Sequence, residues 1–262
     1  MTRIGKRFKE LNNRKALVAF LTAGDPDLDA TKNIFGAIEK NGADIIEIGV
    51  PFTDPLADGP VILQSALRSL DGGTTLKKIL TTVSEIRESS ELPIVLMSSF
   101  NPVFVYGEKD FVDDAVRAGV DGVIIPDLPP EEAEELAQYA GKKGLDIIYL
   151  LAPTSTPGRV RMVARQSRGF IYYISLTGVT GTRTSLADGL QEKVGQIKKA
   201  AVLPVLIGFG ISGPDQAKQA AKISDGVILG SAIMKIIEQT QDPTLLETQV
   251  GQFIASIKQA IS

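Results

Sequence analysis

The chain predicts an α/β fold, a (β/α)8 TIM barrel, and three observations carry that prediction. Eight short apolar, β-leaning runs recur along the 262 residues. Amphipathic stretches of helical period lie between them. The repeat averages about 30 residues, the size of one βα unit. The runs are 16–21, 45–50, 93–97, 122–125, 146–151, 170–174, 205–208 and 226–229. Most are continuous rather than alternating in hydrophobicity, the pattern of parallel strands covered on both faces. The helical stretches are 28–40, 76–88, 110–118, 131–142, 158–166, 190–199, 214–221 and 231–239. Asn41-Gly42-Ala43-Asp44, Ala118-Gly119-Val120-Asp121 and Lys143-Gly144-Leu145-Asp146 each end a helix on a left-handed glycine and turn the chain into a strand. A charged segment of helical period through about Leu11 predicts a short leading helix. The wide gap after the second strand admits an extra helix over 61–70, and a final helix over 244–260 closes the chain. No linker or low-complexity tract divides the sequence, so residues 1–262 read as a single domain.

Composition narrows the chemistry. Histidine and cysteine are both absent, which excludes imidazole acid–base catalysis, serine–histidine triads, thiolate nucleophiles, disulfides and the usual zinc sites. No Asp/Glu cluster has metal-ligand spacing, so no metal is expected. Net charge is −3, and no basic surface invites nucleic acid or anionic lipid. No apolar run approaches the ~20 residues of a membrane span. The basic N-terminus lacks the apolar core of a signal peptide, so a cytoplasmic protein is expected, with the plastid stroma also compatible. Proton transfer must then fall to Asp, Glu, Lys or Tyr.

In a barrel, function gathers where strands end and βα loops begin. The second run, Ile45-Ile46-Glu47-Ile48-Gly49-Val50, sets a carboxylate among isoleucines. Burying an unpaired charge is costly, so such an acid either finds a partner or shifts its pKa upward, which suits proton transfer near neutrality. Glu47 is the first candidate for chemistry. Asp58, in the Pro/Gly-punctuated loop that follows, is the second. Phe20, Met97, Ile124, Tyr172 and Phe209 are the apolar and aromatic positions directed at the mouth. Gly210, Gly230 and Ser231 fall in the loops after the seventh and eighth strands, and Gly181 follows the sixth. There glycines let backbone amides approach an anion and helix N-termini aim their dipoles at it. The pattern predicts phosphate recognition by backbone amides rather than by Arg or Lys. No Lys lies at a strand end, which argues against a Schiff-base aldolase. The expected ligand is a flat hydrophobic group carrying a phosphorylated tail.

Residues 47–60, Glu-Ile-Gly-Val-Pro-Phe-Thr-Asp-Pro-Leu-Ala-Asp-Gly-Pro, closely resemble the signature of the tryptophan synthase alpha subunit family. So do Leu-Thr-Ala-Gly-Asp-Pro at 21–26, Thr-Gly-Val-Thr-Gly at 177–181 and Gly-Phe-Gly-Ile-Ser at 208–212. The matches run in family order across essentially the whole chain. The resemblance implies retro-aldol cleavage of indole-3-glycerol phosphate to indole and glyceraldehyde 3-phosphate, with no cofactor in this chain. It implies a beta subunit partner that uses pyridoxal phosphate, in an alpha2beta2 tetramer. A stand-alone indole-3-glycerol phosphate lyase is the alternative.

By the same resemblance Glu47 and Asp58 match the family's catalytic acids, and Phe20, Ile124, Tyr172 and Phe209 match positions around the indole ring. Gly181, Gly210, Gly230 and Ser231 match its phosphate site. Asp54, Asn101 and Pro129 fall on its beta-facing surface. Two departures stand out: Ser99, where the family often has an aromatic, and Leu176, where some members carry Arg. Finally, the Gly/Thr/Ser-rich segment after the sixth strand is expected to close over the substrate, with Thr180 reaching the Glu47–Asp58 side of the mouth.

Overall fold

The computed structural model describes residues 1–56, 58–175, 185–208 and 210–262, with residues 185–188 described by backbone alone. A single nine-stranded parallel sheet forms from β1 (Ala16–Thr22), β2 (Ile45–Gly49), β3 (Ile94–Met97), β4 (Gly122–Ile124), β5 (Asp146–Ile147), β6 (Leu150–Leu151), β7 (Ile171–Ile174), β8 (Val205–Gly208) and β9 (Gly226–Leu229). Its order is β5-β4-β3-β2-β1-β9-β8-β7-β6. The two ends of that order are consecutive pieces of one predicted strand, so the sheet curls into a ring.

The predicted strand 146–151 is thus divided, and its hydrogen bonds show why. Ile148 N–H still bonds Val123 O on the β4 side (3.0 Å), whereas Tyr149 O accepts from Tyr172 N–H on the β7 side (3.3 Å). Between them Tyr149 N–H goes to the Ser167 hydroxyl (3.2 Å) instead of a strand. The chain changes partner at this step, and a side chain supplies the missing acceptor.

Helices α1 (Arg3–Leu11), α2 (Leu28–Lys40), α3 (Pro60–Asp71), α4 (Leu76–Arg87), α5 (Phe100–Tyr106), α6 (Glu108–Ala118), α7 (Glu134–Lys143), α8 (Pro157–Gln166), α9 (Ser185–Ala200), α10 (Pro214–Ile223), α11 (Ser231–Gln239) and α12 (Pro243–Ile261) complete the structure. Several begin on side-chain caps: Thr2, Asp27, Thr75, Thr156 and Asp242 each accept an N–H from the first turn. The glycines expected to end helices do so with positive φ, +98° at Gly42, +92° at Gly119 and +76° at Gly144. The aspartates that follow do more than turn the chain. Asp44 accepts Leu17 N–H (2.7 Å) and Asp121 accepts Ile94 N–H (2.9 Å). Asp225 repeats the device on Val205 N–H (2.9 Å). Each carboxylate thereby fixes the start of the neighbouring strand and, with it, the register.

Two apolar layers result. Outward residues such as Leu17, Ile46, Leu96, Val123 and Val227 pack under the helices. Inward residues Val18, Ile45, Val95, Ile124, Ile148, Phe170, Leu206 and Ile228 fill the barrel, and Ile4, Phe8 and Leu11 of α1 join them. The leading helix therefore plugs the end of the barrel where the strands start, leaving the C-terminal ends open to a ligand. None of the described helices is long and apolar enough to cross a membrane.

Candidate active site

Glu47 sits in the middle of β2, opposite Phe20 of β1 and Val95 of β3 in the parallel register. Register and alternation turn it inward with Ile45, so its carboxyl lies inside the barrel rather than under a helix. It is 1% exposed, and neither carboxyl oxygen has a hydrogen-bond partner among the described residues. Such an acid is held chiefly in its neutral form. Burial, and then the Asp58 charge, push its pKa up to about 8.

Asp58 reaches the same space from the loop before α3. That helix is tied to β1 and the loop after it by a polar seam. Thr22 and Ser65 hydroxyls lie 2.6 Å apart, and Ser69 donates to Ala23 O (2.5 Å). Arg68 grips the buried Asp25 with two bonds (2.9 and 2.7 Å). Gly59 and Pro60 then start α3 without a side-chain cap, fixing Asp58 two residues from an anchored helix. Burial pushes its pKa up to about 6.

Both acids open on a cavity of about 460 Å³. Phe20, Met97 and Tyr172 line its apolar part. Two glycines make room for the rings: a Cβ at Gly49 would lie 2.5 Å from Phe20, and one at Gly208 would lie 2.5 Å from Tyr172. The Tyr172 hydroxyl is kept protonated, its pKa raised well above the ordinary value by burial and by the Glu47 and Asp58 charges. A smaller recess, walled by Pro55, Leu56, Ser99 and Pro126, shares Phe20, Asp58, Ile62 and Met97 with the main cavity.

Gly210, Gly230 and Ser231 line the same cavity, and Gly230 lies against Phe20, 3.4 Å from where its Cβ would stand. Gly210 has φ +77°. Gly230 precedes α11 and Gly213 precedes α10, and neither helix start carries a side-chain cap. Of the two, α11 begins on residues of the cavity wall, so its uncapped first turn borders the site, the arrangement that favours an anion.

The structure thus gathers Phe20, Glu47, Asp58, Met97, Tyr172, Gly210, Gly230 and Ser231 around one space. Ile124 is different: it is fully buried in the barrel interior and does not reach the cavity lining. Thr180, Gly181 and Phe209, with Leu176 and residues 178–184 of the 178–189 segment expected to close, lie outside the described residues, and residues 185–189 of that segment begin α9. Asp54 and Asn101 are exposed and Pro129 is half-buried, all away from the cavity lining. Sequence reasoning missed Ile62, Ser212, Lys235, Ile236 and Phe253, which also line the cavity. A signal existed for Lys235, which stands four residues after Ser231 and so on the same helix face. Phe253 comes from α12, brought in only by tertiary packing, and had none. Lys235 also brings a cation to the lining of a cavity where the sequence predicts phosphate recognition by backbone amides.

The model of the family described as tryptophan synthase alpha chain matches residues 8–262. The tryptophan synthase alpha chain of Geotalea uraniireducens is 52% identical, covering 100% of this chain and 98% of that relative. The crystal structure of the tryptophan synthase alpha subunit from Legionella pneumophila is 36% identical and superposes with a TM-score of 0.91, over 100% of this chain and 98% of that one. A chain of the tryptophan synthase complex from Pyrococcus furiosus superposes at 0.85 with 31% identity, covering 93% and 98%. Fold, full-length similarity and matched motifs agree, and the chain belongs to the tryptophan synthase alpha chain family.

Proposed function

We propose that this chain cleaves indole-3-glycerol phosphate to indole and glyceraldehyde 3-phosphate, as the alpha partner of a tryptophan synthase. The observation that carries the reading is Glu47, a buried carboxyl with no partner among the described residues, facing an apolar cavity whose wall includes the uncapped start of α11.

Protonated Glu47 gives its proton to C3 of the indole ring, and the ring nitrogen takes the positive charge. The Asp58 carboxylate accepts a hydrogen bond from the ring N–H and stabilises that charge. Glu47, now ionised, removes the proton from the hydroxyl on the carbon attached to the ring. The carbon–carbon bond then breaks, its electron pair neutralises the ring, and the new carbonyl leaves as the aldehyde. Glu47 ends protonated, as it began. Phe20, Met97 and Tyr172 hold the flat ring, and the amides at Gly210, Gly230 and Ser231 take the phosphate. A sugar-phosphate isomerase would not need so apolar a mouth.

Leu56, Phe104 and Val105 are 84%, 64% and 77% exposed, Leu56 in the loop that holds Asp54 and the other two in α5 with Asn101. We take this apolar surface as the docking face for a beta subunit, the partner expected to carry pyridoxal phosphate in an alpha2beta2 assembly. The test is indole release from indole-3-glycerol phosphate, with and without that subunit. Release that beta strongly accelerates supports the full reading. Equal rates with and without beta favour the stand-alone lyase, and no release in either case refutes the activity.

The two raised carboxyls predict a bell-shaped pH dependence of kcat/KM. Asp58 must be ionised, so activity is lost as pH falls through about 6. Glu47 must start protonated, so activity is lost as pH rises through about 8. A profile flat from pH 5 to 9 would contradict the assignment.

Gly210→Val should raise KM for the substrate at least tenfold. A branched side chain is strained at a φ of +77°, and it would stand where the anion approaches the backbone. Unchanged affinity for glycerol phosphate in the folded variant would remove Gly210 from the phosphate site.

A further inference from the structure

Lys235 is the one cation among the described residues that line the cavity, where the other charged groups are the acids Glu47 and Asp58. It lies one helical turn beyond Ser231 on α11. Helical side chains lean toward the N-terminus, which favours a course of its four-carbon stem back toward the turn that begins at Gly230. A turn is about 5.4 Å long, a distance that an extended lysine spans. No hydrogen bond or ion pair ties Lys235 to another described residue. Glu238, one turn further along the same helix, is instead held by Arg68 at 3.3 Å.

Charge balance gives this free ammonium a task. A phosphate monoester carries nearly two negative charges near neutrality, and it must enter a site that already holds the Asp58 carboxylate. The uncapped start of α11 offers only about half a positive charge. Backbone amides there can orient an anion without neutralising it.

We propose that Lys235 is the counter-cation that draws the substrate's phosphate to the start of α11 and holds it there, a role that rests on the phosphorylated-substrate reading above. Its position on an exposed helix face makes the interaction screenable by salt, so it acts on capture more than on the chemical step.

The test compares wild type, Lys235→Gln and Lys235→Arg as full chains with the beta subunit. Affinities for sn-glycerol 3-phosphate and for indole are measured by calorimetry, and kcat and KM across a sodium chloride series. The Gln variant should bind glycerol phosphate five- to tenfold more weakly at low salt and bind indole unchanged. Its KM should rise by the same factor with kcat within twofold, and the gap should narrow as salt increases. Arg should restore affinity to within twofold of wild type. A Gln variant within twofold of wild type for glycerol phosphate at low salt would overturn the role of Lys235 and leave the phosphate site standing. A wild type that binds no glycerol phosphate and releases no indole would overturn the substrate reading, and this inference with it.

Discussion

Glu47→Gln is expected to lower kcat for indole release by at least a thousandfold while leaving glycerol phosphate affinity unchanged. The amide keeps the size and shape of the carboxyl but can neither give up a proton to the ring nor take one from the glycerol hydroxyl. A thousandfold is about 4 kcal/mol of transition-state stabilisation, within the range that a positioned acid–base group supplies. With no histidine in the chain, nothing else stands ready to replace it. Stability should move the other way. The folded protein holds the Glu47 proton up to a pKa of about 8, against an ordinary value of 4.5. Between those values the folded state binds more protons than the unfolded state, so this group's contribution to stability falls as pH rises through the window. The Gln variant escapes that loss. Its unfolding free energy relative to wild type should climb from pH 5 to pH 8 by on the order of a few kcal/mol, read as a rising difference in melting temperature. A variant that keeps more than a tenth of wild-type kcat would remove Glu47 from the chemistry.

Why Glu47 could be found in the sequence at all is a matter of contrast. An acid inside Ile45-Ile46-Glu47-Ile48 breaks an apolar run that otherwise predicts burial on both faces, and local reasoning suffices to see it. The barrel was readable on the same terms, from the spacing of apolar runs and the glycines that end helices. What escaped notice depends on contacts distant in sequence. The short helix α5 and its successor α6 are separated by Gly107 at φ +92°, within a stretch in which only the second helix was expected. Strand 146–151 divides because Ser167, about twenty residues later, captures a strand amide. Ile124 reads as a mouth residue by its place at a strand end, yet β4 is only three residues long and its last side chain stays in the barrel interior. Conversely, Phe253 reaches the cavity from α12, far in sequence from the strand-end site motifs. Periodicity reports which face of an element is apolar; it does not report which neighbour that face meets.

Asp58→Asn should lower kcat a hundred- to a thousandfold with little change in KM. The asparagine carbonyl still accepts a hydrogen bond from the ring N–H, so ground-state binding survives and only the negative charge is lost. Opposite unit charges about 3–4 Å apart, at an effective dielectric of about 20, attract by about 4–5 kcal/mol. That attraction exists only once the ring has been protonated, and its loss therefore falls on kcat. Two further changes separate this role from a merely structural one. The acid limb of the pH profile, set by the Asp58 carboxyl near 6, should disappear. The basic limb should move to lower pH, because the Asp58 charge is one of the two causes that raise the Glu47 pKa, and without it Glu47 ionises more readily. The seam from Ser65, Arg68 and Ser69 to the loop after β1 is untouched by the substitution, so α3 keeps its place and the variant reports on charge alone. If the acid limb stays near pH 6 in the Asn protein, some other group titrates there, and the ring nitrogen's positive charge must be met by a residue other than Asp58.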